Sequence, residues 1–579
     1  MLTPVKILLY ITLLLSVASL FLEQIGGLSQ PIQLAVSIID YVVVFLVVVE
    51  VAAEFRKAAY KRVYLKRNIL SLSFTAVFIV LFVYNKTAAY IYQTASLGSL
   101  PLFLVIMRNL FILLKVFTRL RHLSSFIEEI TTHPAQTILF SFLIVILAGT
   151  LFLMMPVAVS GDTGLSFLNA LFTSTSAVCV TGLIVVDTAV AFSIYGKIAI
   201  LVLIQIGGLG IMILSFFTVF VLRRSMSIED KMLISYMLSE KDMTKLARSL
   251  RTIVFITFTI EGIGALLLFL GFAPSVEGGA MRAIFHALFH SISSFCNAGF
   301  STFSNSLEGF RSNGYLMTVI AFLIIAGGIS FAVIINLGQC AANRYRRSVR
   351  KIHEKIIRMT MNTKVVLTVS ALLLVAGTLV IYALEHAHVM AGYRLGDQYL
   401  SAFFQSVTLR TAGFNSIPFT DLRSVTYIVM AAFMFVGGAS GSTAGGLKVN
   451  TLAVMMAYIG ATLRDRESVT LYRYSVSLNT VLRAFLILLF AVTVVAVGTI
   501  LLAIFEKAPV EHLVFEAVSA FGTVGLSSGL TPSLSVPGKS VIILLMFLGR
   551  VGPLTVLAAA SLRRRKIRIE YPRGEIAIG

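Results

Sequence analysis

Charge and cysteine are both scarce in this chain. Only 13% of its 579 residues are charged, 58% are hydrophobic, and the mean hydropathy is +0.94. No soluble core needs that much apolar surface, so a soluble globular domain is excluded. Three cysteines, Cys179, Cys296 and Cys340, are too few and too dispersed for a disulfide framework or a zinc site. Neither a phosphate-cradling GxxxxGKS/T loop nor a paired acid and base occurs, and the chain reads as something other than an enzyme, with no cofactor.

What is abundant is apolar sequence in runs of about 20 residues, the length that crosses a hydrocarbon layer about 30 Å thick. The fold class this implies is an all-α polytopic membrane protein. The net charge of +21 would suit nucleic acid, but its placement excludes that partner. Basic residues gather at 56–67, 223–251, 344–364 and 563–573, in short loops between apolar runs. Alternate loops such as 162–187 and 506–516 carry carboxylates, the positive-inside pattern of an inner or plasma membrane. Lys6 ahead of the apolar run 7–22 resembles a signal peptide, yet a second apolar run follows at once, which favours a retained helix.

The chain repeats itself. Gly182 in "AVCVTGL", Gly299 in "SFCNAGFS", Gly413 in "TLRTAGFNS" and Gly525 in "SAFGTVGLSSG" are separated by 117, 114 and 112 residues. Ten positions before each stands a phenylalanine (Phe172, Phe289, Phe403, Phe515), and a large apolar residue follows (Leu183, Phe300, Phe414, Leu526). A small-residue pair trails each glycine by 25, 28, 24 and 24 positions: Gly207-Gly208, Gly327-Gly328, Gly437-Gly438 and, departing from the pattern, Gly549-Arg550. Each unit reads as a long apolar helix, a half-length amphipathic helix, a Gly-centred loop and a second long helix. The first long helices are expected over 134–156, 252–271, 364–384 and 478–504. Half-length segments such as 167–178 and 511–522 are too short to span, so they enter and return on one side. Basic loops at 223–251, 344–364 and 464–473 join successive units, which puts the Gly-centred loops outside. The expected organisation is an N-terminal helical region over 1–125, then units at 130–225, 250–340, 362–462 and 478–579.

Irregular backbone at membrane depth is tolerated only when buried in protein or lining a water-filled cavity. Four equivalent loops make a pseudo-fourfold ring whose carbonyls can replace the hydration shell of an alkali cation, glycine permitting the positive φ this needs. The filter is therefore expected at Val180, Thr181, Gly182 and Leu183; Asn297, Ala298, Gly299 and Phe300; Thr411, Ala412, Gly413 and Phe414; and Thr523, Val524, Gly525 and Leu526. In the third unit the apolar run 426–436 is too short to span before "GGASGSTAGGLK" at 437–448. That break is expected within the membrane, as a gate built from Gly438, Ser440, Gly441, Ser442, Thr443, Gly445, Gly446 and Lys448. Arg550, a guanidinium in the middle of the apolar run 541–562, is expected to face the ion path, and Arg410 to brace the third loop by hydrogen bonds. His286 and His290 lie one helical turn apart without an evident third ligand, which favours packing over metal binding.

These motifs, "TSAVCVTGL", "HSISSFCNAGFS", "QSVTLRTAGFNS" and "SAFGTVGLSSG", over residues 130–575, resemble the M1-P-M2 repeats of the Trk/Ktr/HKT superfamily of potassium transporters, KtrB-like and TrkH-like membrane subunits above all. The resemblance implies potassium uptake, with sodium as a possible activating or coupling ion, an intramembrane gating loop and an arginine below the filter. It also implies a homodimer and a cytosolic nucleotide-binding ring as regulatory partner, for which the basic loops and "RRRKIRIEYPRG" offer a surface. Membrane lipid suits those same runs. Four filter glycines favour potassium over sodium, while Cys179 and Cys296 depart from the family's polar residues three positions before the first two. In the first 125 residues, Arg108, Lys115, Arg119 and Arg121 beside Asp40 and Glu50 weakly resemble a voltage sensor. A voltage-gated cation channel with four fused pores is accordingly the alternative reading, against a peripheral or dimer-flanking role for that region.

Overall fold

Backbone amides in a bilayer have no water to bond, so apolar runs of this length close their hydrogen bonds internally as helices. The computed structural model describes residues 55–56, 61, 134–161, 164–210, 246–276, 279–349, 356–552 and 555–556. The expectations for residues 1–125, the C-terminal tail and most of 223–251 lie outside the described residues.

The labelled helices are α1 (Pro134–Leu153), α2 (Phe167–Val178), α3 (Ile194–Leu209), α4 (Leu246–Phe272), α5 (Ala280–Phe295), α6 (Gly314–Gly328) and α7 (Phe331–Ser348). They continue as α8 (Met361–Glu385), α9 (Leu395–Thr408), α10 (Ser424–Phe435), α11 (Val449–Thr462), α12 (Leu478–Phe505), α13 (Val510–Gly522) and α14 (Val536–Val551). Among the described residues, Arg251–Phe272, Met361–Glu385 and Leu478–Phe505 are long and apolar enough to cross a membrane, and α6 with α7 passes as a pair bent by 103°. Exposed Phe255, Leu372 and Leu486 on the long helices are what a lipid-facing surface requires. This is a multi-pass membrane protein.

The chain divides into two compact units. In one, described over 148–161, 164–170 and 190–199, the turn Pro156–Ala158 is tied by the Val159–Phe192 bridge and by Ser193 Oγ donating to the Val157 carbonyl. The other holds 133–147, 171–189 and 200–579, and the functional residues discussed below belong to it. Its cores include clusters of large side chains around the short helices, with Phe272, Phe404 and Phe414 in one and Tyr427, Phe515 and Leu526 in another.

Three features correct the sequence reading. The joint at 464–473 runs into an antiparallel hairpin, β1 (Val469–Leu471) with β2 (Tyr474–Val476), so the fold is mostly helical rather than purely so. The second unit's last helix breaks at Ile329-Ser330, where Gly327-Gly328 weaken the helix and extended Ser330 restarts it as α7. In the fourth unit the expected long helix is interrupted: α14 ends at Val551, where Gly552 takes φ +85 and proline follows in sequence, and residues 555–556 are helical again, so Arg550, within the apolar run, sits in the last turn of α14.

Candidate functional site

Two residues before each marked glycine the backbone turns left-handed: Val180 (φ 56), Asn297 (φ 60), Thr411 (φ 67) and Thr523 (φ 50). Three of these are β-branched, for which such a φ is a genuine outlier held by its surroundings. The glycines are left-handed as well, at φ 94, 70, 76 and 93 for Gly182, Gly299, Gly413 and Gly525. Alternation of this kind is set by the helix ends. Thr181, Ala298 and Val524 each return their N–H to a carbonyl five residues back, on Ser176, Ser293 and Ser519, at 2.8, 2.7 and 2.8 Å. Ser176 and Ser519 also accept the N–H of Gly182 and Gly525 through their hydroxyls, both at 3.1 Å. With those N–H groups bound toward the helix, the carbonyls face the other way.

The four glycines close a ring. A methyl group on Gly182 would meet the Ala298 carbonyl oxygen at 2.5 Å, and one on Gly299 would meet that of Ala412 at 2.8 Å. One on Gly413 would meet that of Val524 at 2.6 Å, and one on Gly525 would overlap that of Thr181. Each loop thus packs a bare Cα against the next loop's carbonyl, and the fourth returns to the first. Leu183, Phe300, Phe414 and Leu526 are buried beside the ring. Asn297 Nδ2 ties the second loop to the third by donating to the Arg410 carbonyl at 3.2 Å.

The third loop is one residue tighter. Ala412 N–H bonds four residues back to Thr408, and the Thr408 hydroxyl accepts from Phe414 N–H at 2.8 Å. The fully buried phenylalanine there is Phe404, while Phe403, at the ten-residue spacing, is only half-buried.

The ring glycines line a cavity of about 360 Å³ whose other walls include Asp187, Ser301, Glu308, Asn415 and Ser527. Burial raises Glu308 above the usual carboxylate range, with Arg311 opposing and Asp421 adding to the rise. Glu516, counted from sequence only among the carboxylates of segment 506–516, is buried within α13 and accepts from Ser527 Oγ at 2.6 Å, Ser528 N–H at 3.0 Å and Thr531 Oγ1 at 2.7 Å. Its signal was an acid inside a short apolar helix.

The segment 437–448 has no exposed residue. It caps helix ends that would otherwise carry orphan carbonyls. Thr443 Oγ1 donates to Gly327 at 2.9 Å and to Phe295 at 3.2 Å, and Ala439 N–H donates to Gly328 at 3.0 Å. Gly441, at φ 76, accepts from Phe331 N–H, and Ser442 Oγ donates to the Ala439 carbonyl. Ser440 N–H bonds Asn450 Oδ1, and Lys448 Nζ bonds the Ala444 carbonyl at 2.5 Å. Gly438 leaves room for Ala444, Gly445 for Thr523, and left-handed Gly446 for Gly522. Arg410 Nη2 donates to the Gly437 carbonyl at 2.6 Å, the bracing bond expected of it. Arg550 reaches three backbone carbonyls, those of Thr443, Gly207 and Gly208. The structure thus brings the ring residues together, and brings Arg550 to Thr443 of the segment expected to gate.

His286 bonds Thr302, His290 bonds Ser301, and both stack on Phe303. Among the described residues no cluster of three metal ligands occurs.

The profile of the TrkH family, described as cation transport protein, matches residues 104–567. The chain is 35% identical over 448 residues to Ktr system potassium uptake protein B of Bacillus subtilis, covering 77% of this chain and 97% of that one. It is 38% identical over 446 residues to the protein of that name from Vibrio alginolyticus, covering 77% and 94%. It is 34% identical over 453 residues to potassium/sodium uptake protein NtpJ of Enterococcus hirae, covering 77% and 97%. The crystal structure of the potassium transporter TrkH from Vibrio parahaemolyticus superposes with a TM-score of 0.58 at 18% identity, over 85% of this chain and 97% of that one, a likeness of fold.

Proposed function

The chain belongs to the TrkH family of cation transport proteins, and from that premise we propose that it takes up potassium across the cytoplasmic membrane through a fourfold filter of backbone carbonyls. Four M1-P-M2 units over 130–225, 250–340, 362–462 and 478–579 surround the path. The observation that carries this reading is the ring in which Gly182, Gly299, Gly413 and Gly525 each abut a neighbouring loop's carbonyl at the floor of a cavity walled by Asp187 and Glu308. A dehydrating cation needs oxygens at fixed spacing, and the left-handed residues on either side of Thr181, Ala298, Ala412 and Val524 supply them. The membrane potential drives a cation inward with about 2.3 kcal/mol per 100 mV.

Segment 437–448 and Arg550 form the gate. A guanidinium held by the carbonyls of Thr443, Gly207 and Gly208 sets a fixed positive charge in the way of a cation. The segment's role as a helix cap lets it move only if those bonds exchange, which suits a two-state element. Sodium activates or accompanies uptake, a reading supported by the potassium/sodium uptake protein to which the chain is 34% identical. The working assembly is a homodimer regulated by a cytosolic nucleotide-binding ring on the basic face. Expression in a cell lacking potassium uptake tests the function: growth is restored at limiting potassium, and more fully with sodium present. A chain that reaches the membrane and restores no growth in either condition refutes it.

A further inference from the structure

Beside the second loop lies a polar cluster that the reading above does not use. Glu261 sits near the middle of α4, a spanning helix, and is 3% exposed. Its Oε2 accepts from Gln205 Nε2 on α3 at 3.2 Å, and its Oε1 lies 3.7 Å from Cys296 Sγ, which is also 3.7 Å from Gln205 Oε1. Cys296 caps α5 and immediately precedes left-handed Asn297 of the ring.

The cluster stands at a contact that three units share. In three units a serine of the short helix donates to a carbonyl of the preceding long helix: Ser174 to Ile146 at 2.7 Å, Ser291 to Glu261 at 2.6 Å, and Ser406 to Leu374 at 2.7 Å. The residue at that contact is apolar in the first and third units and a carboxylic acid in the second. Polar groups at membrane depth are costly and tend to mark function. Among the described residues no basic side chain pairs with Glu261; its side-chain partners are an amide and a thiol. The thiol is held from the opposite side, because a methyl group on Gly208 would meet Cys296 Sγ at 2.5 Å, and the Gly208 carbonyl in turn accepts from Arg550 at 3.3 Å.

We propose that Glu261 is a positioning residue for ion selection: through Gln205 and Cys296 it fixes where the second loop leaves α5, and it acts by hydrogen bonding rather than by charge. The inference rests on the potassium-uptake reading. A loop that starts from a fixed Cys296 presents the Ala298 carbonyl to Gly182 at one spacing only. Without the anchor, α5 can turn about its axis, the ring loosens on that side, and a smaller, more strongly hydrated cation is rejected less well.

The test measures potassium and sodium uptake by the full chain in proteoliposomes of one composition. The wild-type protein settles the underlying reading: if it does not prefer potassium, the function is wrong, whatever Glu261 does. Given that preference, Glu261→Gln is expected to keep the potassium-to-sodium ratio, because the amide still bonds Gln205 and Cys296. Glu261→Leu is expected to lower it about tenfold, as for one lost buried hydrogen bond. If Glu261→Leu does not accumulate, Gln205→Leu and Cys296→Ala carry the test with the same expected fall. An unchanged ratio in the leucine variant, or in both substitutes, overturns the proposal. So does a glutamine variant that loses the ratio as completely as the leucine variant, since charge would then be what matters.

Discussion

Gly299→Ala adds one methyl group where the ring has no room for it. Gly299 stands at φ +70, and its added Cβ would lie 2.8 Å from the Ala412 carbonyl oxygen and 2.9 Å from the Gly413 Cα. Both neighbours are backbone, so no side chain can swing aside. Ordinary contact requires a retreat of about half an ångström or more. A left-handed alanine costs about 1–2 kcal/mol by itself. Gly279→Ala isolates the crowding, since Gly279 also takes a positive φ, at +84 with ψ 175, a region open essentially to glycine alone, but has nothing within 4 Å. The control bears the conformational cost alone, while the ring variant also pushes apart the second and third loops. Measured as rubidium or potassium uptake per unit of membrane-inserted protein, Gly279→Ala is expected to stay within about twofold of wild type. Gly299→Ala is expected to lose about tenfold or more in potassium uptake and to narrow its preference over sodium. Equal uptake and equal ion preference in the two variants, at equal abundance, would show that the glycine ring does not surround the ion.

Arg550→Ala removes the guanidinium that Thr443, Gly207 and Gly208 hold. If its charge contributes as little as about 1.4 kcal/mol to the barrier, basal cation flux rises about tenfold; unchanged flux in liposomes refutes the gating role. Glu308 gives a pH dependence of known sign. Because burial favours its neutral form, the outer cavity loses that charge as external pH falls, starting above the range where an ordinary carboxylate titrates. The same shift means that protonation at this position does not destabilise the fold, so a fall in uptake reports on charge rather than on unfolding. Taken at about 8 Å through water, one charge is worth about 0.5 kcal/mol, or about a twofold change in uptake at limiting potassium. Glu308→Gln is expected to remove that part of the pH profile and to matter little in high salt. A profile that survives the substitution at low ionic strength refutes the assignment.

The parts of the fold most legible in sequence are those where one residue type can occupy a position. Left-handed backbone against a neighbour's carbonyl admits only glycine, which is why four glycines at near-constant spacing mark the ring before any coordinates. The half-length helix at 167–178 was readable because irregular backbone bounds it on both sides. The hairpin at 469–476 was not. Its strands are three residues long, and its turn uses left-handed Tyr472 and Arg473 where an Asn-Gly signal would have revealed it. The end of α14 was written as Gly552-Pro553, and was hidden by the apolar run that continues past it.

The small-residue pairs are the most instructive case, because one sequence mark serves two physical purposes. Gly207, Gly327 and Gly549 are small because each lets its helix touch the last carbonyls of a short helix, at Val178, Phe295 and Phe521. Gly437 stands at the same offset but lies against Gly445. Periodicity cannot tell these apart, since both demand a missing side chain. In the third unit the contact is made within segment 437–448, which then supplies hydrogen bonds to the ends of α5 and α6 and receives the guanidinium from α14. Three units keep a direct helix-to-helix contact, and one replaces it with a buried loop held by hydrogen bonds. That asymmetry leaves the ring its fourfold contacts while setting the third unit, among the described residues, apart from the other three where the gate is proposed.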